Sequence, residues 1–99
     1  MTTYPEVRML IGDEWIAEGG QGAMQVVNPA TEKAIGSAPK VSKEQLDAAL
    51  AAADSGFAVW RDTPAIERYR IIRRAAELLR ERAETIARVV TLEMGKPHA

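Results

Sequence analysis

Few residues in this 99-residue chain could do chemistry. Cysteine is absent and His98 is the single histidine. Without a thiol there is no cysteine nucleophile, no thiolate metal site and no disulfide. A lone histidine one residue from the last position has no fixed partner to tune it as a general base. Gly19, Gly20 and Gly22 invite a dinucleotide fingerprint, but Gln25 stands where the third glycine belongs, and extended sequence follows instead of a helix. Gly95-Lys96 is not a phosphate loop, because Val90 and Pro97 occupy the positions of the upstream glycine and the hydroxyl. Arg68, Arg70, Arg73 and Arg74 could meet phosphate. With no aromatic interleaving and a near-zero net charge, they read instead as a solvated helix face neutralised by Glu67 and Glu77. Glu93 lies near a helix end, where a carboxylate faces the negative pole of the dipole and calls for a cation or a donor. Trp15 and Trp60 read as apolar anchors rather than ligand platforms.

The elements that carry these residues are legible. Residues 1–41 read as strands and turns. Arg8-Met9-Leu10-Ile11 and Trp15-Ile16-Ala17 flank Gly12-Asp13-Glu14, a hairpin pattern. The glycines of residues 18–22 predict a flexible loop. Met24-Gln25-Val26-Val27 resumes an extended run, Asn28-Pro29 breaks it, and Ala34–Ala38 is a further strand.

Residues 42–99 read as helical. Ser42 with Gln45 is a capping-box signature. Leu46, Ala49, Leu50, Ala53, Phe57 and Trp60 then fall on one helical face. Thr63-Pro64 predicts a second start, with Thr63 as the cap. Ile66, Tyr69, Ile72, Ala76, Leu79, Ala83, Ile86 and Val90 recur with a period near 3.6, predicting one long helix to Gly95. Its polar face offers the pairs Arg73–Glu77, Arg80–Glu84 and Glu84–Arg88. The apolar stripes and the short link Asp62-Thr63 predict two antiparallel helices packed on each other. If Leu79 is buried there, Leu79→Ala should cost roughly 2–5 kcal/mol.

The expected class is α+β: a short N-terminal hairpin and strands, then two long antiparallel helices. The two segments form one partial domain, which the stretch TLEMGKPHA leaves without a capping element after Pro97. With 46% hydrophobic residues, 27% charged and a formal net charge of -1, the chain is ordinary globular material with no field for nucleic acid or anionic lipid. No run approaches the roughly 18 apolar residues of a membrane span, and no signal peptide is evident, so a cytoplasmic protein is expected.

LIGDEW at 10–15, VVNPAT at 26–31, IGSAPK at 35–40, FAVW at 57–60 and TLEMGKP at 91–97 follow in that order. This set resembles the N-terminal segment of the NAD(P)-dependent aldehyde dehydrogenase superfamily, in flavour the succinate-semialdehyde dehydrogenase group. The resemblance implies a longer α/β enzyme that oxidises an aldehyde through a thiohemiacetal on a cysteine. Hydride passes to NAD or NADP, and a glutamate serves as base. The nucleophile, that base and the dinucleotide loop would lie downstream, so the chain itself is expected to be a non-catalytic fragment binding no cofactor. Its partners would be the remainder of the dehydrogenase chain and further copies of itself. The resemblance also implies a monovalent cation, held by backbone carbonyls of Val26 and Val27 and by the Glu93 carboxylate. Many members have Asp at the acidic position. A free-standing helical-hairpin interaction module is the alternative; the reading frame beyond codon 99 discriminates the two.

Overall fold

The computed structural model describes residues 3–98. Met1, Thr2 and Ala99, at the outer ends of the two expected segments, lie outside the described residues. The class is α+β, as the patterning predicts. Strands β1 (Met9–Ile11) and β2 (Glu14–Ile16) form an antiparallel hairpin with Leu10 opposite Trp15. Gly12 closes it at φ 63, a left-handed conformation that costs glycine little. Strands β3 (Ala23–Asn28) and β4 (Lys33–Pro39) form a second antiparallel pair. Asn28 makes their turn: its Oδ1 accepts the Ala30 N–H at 2.9 Å, and its carbonyl accepts the Glu32 N–H at 2.8 Å.

Helix α1 (Lys43–Asp62) begins at the expected capping box. The Gln45 N–H donates to Ser42 Oγ at 3.1 Å, and the Ser42 N–H donates to Gln45 Oε1 at 2.9 Å. Gln45 also grips the glycine loop, accepting from the Gly20 N–H at 2.8 Å and donating to the Glu18 carbonyl at 3.0 Å. This corrects the expectation of a flexible loop. A Cβ on Gly19 would lie 2.1 Å from the Lys40 carbonyl oxygen, and one on Gly20 would lie 2.5 Å from Ser42 Cβ. Gly19 makes room for the Lys40 backbone and Gly20 for the Ser42 side chain.

The expected second helix is divided into α2 (Ala65–Glu81) and α3 (Ala83–Met94) at Arg82, whose φ is -102 and ψ 12. Neither proline nor glycine, the usual causes of a bend, stands there. Beyond the break, within α3, Glu84 pairs with Arg88 at 3.0 Å, and no Arg80–Glu84 bridge forms among the described residues. Thr63 is also reassigned: no side chain caps α2, and the Thr63 hydroxyl donates to the Val59 carbonyl at 2.7 Å, closing α1. The helices do not pack as an antiparallel pair. Instead α1 leans on β1, and α3 leans on β3.

That arrangement leaves the apolar stripes uncovered. Among the described residues no hydrophobic side chain is buried; the one buried residue is Ser42. Leu50 is 62% exposed, Phe57 63% and Leu79 61%. The stripes satisfy the helical period, but nothing here lies across them. The accessible surface is 7873 Å², against about 5,500 Å² for a compact monomer of this mass. The radius of gyration is 16.8 Å, against about 13 Å for a compact domain. The cost of Leu79→Ala in the monomeric chain is therefore revised to below about 0.5 kcal/mol, the range of exposed substitutions. Denaturant titration at low concentration checks it, and a loss above about 2 kcal/mol would show a buried site.

Candidate functional site

The residues singled out for chemistry do not converge. The basic cluster is paired along its own helix: Arg70 with Glu67, Arg73 with Glu77 at 3.4 Å, and Arg74 with Glu81 at 3.2 Å. Arg68 departs from the expected solvated face, being half-buried with its Nε lacking a partner. A groove of about 530 Å³ runs beside this cluster, but its walls, from Tyr69 to Arg80, all belong to α2. His98 lies 3.4 Å from the Glu84 carboxylate, on the surface. No group of three or more His, Cys, Asp or Glu side chains able to hold a metal exists among the described residues, and no helix there is long and apolar enough to cross a membrane.

Besides the grip of Gln45 on the glycine loop, a second long-range polar contact forms where α3 meets the β3–β4 hairpin. Val26 stands opposite Gly36 and Val27 opposite Ala34, so Ile35 is an extra residue and the ladder is interrupted between the two valines. A bulge of this kind leaves its extra residue, here Ile35, out of the ladder. Glu93 lies on the last turn of α3. Gly95 follows at φ 74, donating its N–H to the Thr91 carbonyl at 2.9 Å, as the capping pattern predicts. A Cβ on Gly95 would lie 3.2 Å from Pro29 Cγ, so the helix end rests on the turn after β3.

The Glu93 carboxylate already has a donor. The Tyr4 hydroxyl donates to Glu93 Oε1 across a separation of 89 residues. The Tyr4 ring reaches it by lying over Gly36, where a Cβ would come within 2.6 Å of Tyr4 Cδ2. Of the residues expected to hold a cation, Val26 and Val27 lie where the ladder is interrupted, and Glu93 Oε1 accepts from the Tyr4 phenol. Sequence reasoning missed Tyr4 and Gly36. Tyr4 belongs to no strand or helix, and no local pattern links it to Glu93.

The hydrogen bond to Glu93 pushes the Tyr4 phenol up to about 12, helped by desolvation and by the carboxylate's charge. The folded value lies above the ordinary 10.0. The neutral phenol's contribution to stability is therefore fully present below pH 10 and is lost as pH rises through about 12. In a Tyr69→Phe variant, where Tyr4 alone gives the tyrosinate absorbance, the midpoint should fall near 12. A midpoint near the ordinary value would show that the contact is not made.

Comparison with known proteins agrees with the motif order. A sequence model described as the aldehyde dehydrogenase family matches residues 15–99. The chain is 43% identical over 96 residues to malonate-semialdehyde dehydrogenase 2 of Geobacillus thermodenitrificans, a match covering 97% of the chain and 20% of that relative. It is 33% identical over 95 residues to the human mitochondrial methylmalonate-semialdehyde/malonate-semialdehyde dehydrogenase [acylating], covering 96% of the chain and 18% of the relative. It is 34% identical over 92 residues to the mitochondrial methylmalonate-semialdehyde dehydrogenase [acylating] of Arabidopsis thaliana, covering 93% and 15%. The chain thus spans about a fifth or less of the length of these curated relatives.

Proposed function

Because the chain belongs to the aldehyde dehydrogenase family, we propose that it is the N-terminal strand-and-helix portion of an NAD(P)-dependent enzyme that oxidises a short semialdehyde bearing a carboxylate. The observation that carries this reading is the uncovered apolar surface: a family sequence with no buried apolar side chain among its described residues needs a large partner surface. We assign that surface to the remainder of the dehydrogenase polypeptide, where the cofactor-binding domain and subunit contacts would lie. The segment is then a non-catalytic buttress, and NAD or NADP is held elsewhere. The relatives named for malonate semialdehyde and methylmalonate semialdehyde support a substrate with an aldehyde at one end and a carboxylate at the other. Succinate semialdehyde, suggested by the motifs, is of the same class. Against an independent helical-hairpin module stands the lack of a packed helix pair.

Complementation tests the reading. The Geobacillus thermodenitrificans relative, deleted of the fifth that this chain matches, is co-expressed with the chain. Co-purification and recovery of malonate-semialdehyde oxidation are expected. A deleted relative that neither binds the chain nor regains turnover would overturn the assignment.

A further inference from the structure

We infer that Tyr4 is the built-in partner of Glu93: its phenol fastens the N-terminal segment to the last turn of α3 across the β3–β4 hairpin, in the place that the family resemblance gives to a cation. Three observations carry this. The hydroxyl donates to Glu93 Oε1. The ring has a seat that only glycine leaves open, since a Cβ at Gly36 would stand 2.6 and 2.8 Å from Tyr4 Cδ2 and Cε2. Residues 3–8 belong to no strand or helix, and Tyr4 is what ties them to the opposite end of the chain.

The chemistry favours a phenol here. A carboxylate at a helix C-terminus faces the carbonyl ends of the last turn and gains from any donor. A neutral hydroxyl supplies one without bringing a second charge to be desolvated, and hydrogen bonds to a charged group are among the stronger ones. The hydroxyl answers the demand for a donor at Glu93 Oε1 without an ion. The second contact of this helix end, Gly95 on Pro29, is steric and asks nothing of an ion.

The test is solution NMR of the 99-residue chain at neutral pH, in choline, sodium and potassium chloride at equal ionic strength. A nuclear Overhauser contact between the Tyr4 ring and the Gly36 α-protons is expected in all three salts. The Gly95 amide, bonded to the Thr91 carbonyl, should exchange equally slowly in each. Tyr4→Phe keeps the ring and removes the hydroxyl; it should raise that exchange rate about tenfold, as should Glu93→Ala, with no further rise in the double variant. Three results would each overturn the inference. One is the absence of the Tyr4–Gly36 contact in the parent chain. Another is slower Gly95 exchange in sodium or potassium than in choline. The last is additive effects, or none, from the two variants.

Discussion

Mixed with NAD or NADP and a panel of short aldehydes and semialdehydes, the purified chain will reduce no cofactor above the blank. Oxidation by the route this family implies begins with a covalent adduct on a thiolate, and the chain has no cysteine. No substitute is at hand. His98 is on the surface beside Glu84, and Tyr4 is committed to Glu93. Hydride transfer needs a bound dinucleotide, and the glycines that might have cradled one are spent on a close approach to Lys40 and Ser42. Loss of a nucleophile alone removes about a millionfold of rate in a covalent enzyme. Absorbance of the reduced cofactor is the readout. Turnover that persists through repurification would show that the missing chemistry resides in these residues after all.

The second large effect is association. At micromolar concentration the chain should run as a dimer or larger species by light scattering after size exclusion. Its accessible surface exceeds that of a compact monomer of its mass by roughly 2,300 Å², which is the scale of an obligate subunit interface. Large apolar side chains contribute to the excess, among them Leu50 and Phe57 on α1, and Ile66, Ile72 and Leu79 on α2. Each β-hairpin is also a sheet of two strands with no third strand beside it among the described residues, a second route to pairing. A partner that covers the helical faces should dissolve the assembly, so the deleted relative used for complementation doubles as a competitor. A well-folded monomer of 10.8 kDa at those concentrations would refute the expectation. It would require the stripes to be closed within one chain, in a packing unlike that described.

Local structure was largely written in local chemistry. Ser42 and Gln45 specify a helix start through two reciprocal hydrogen bonds, and both form. Gly12 and Gly95 stand where the backbone turns left-handed, at a hairpin and at a helix end. Asn28 closes a turn with its own side chain. These devices act over a few residues, so sequence spacing suffices to find them. The order of the motifs identified the family for a similar reason, because all but FAVW, a stretch of α1, include a turn, a cap or a strand.

What tertiary structure decided lies in contacts between distant residues. The helical period says that a face is apolar but not that anything covers it, and here nothing does. The bend at Arg82 follows no helix-breaking residue, yet it separates α3, which meets β3, from α2, which does not. Glycines at 19 and 20 read as freedom in the sequence and prove to be clearance for the Lys40 backbone and the Ser42 side chain. Above all, the donor that Glu93 required came from Tyr4, 89 residues away, through a gap left by Gly36. No periodicity spans that distance. Only the pairing of β3 with β4 and the seating of α3 upon them put the hydroxyl and the carboxylate within one hydrogen bond.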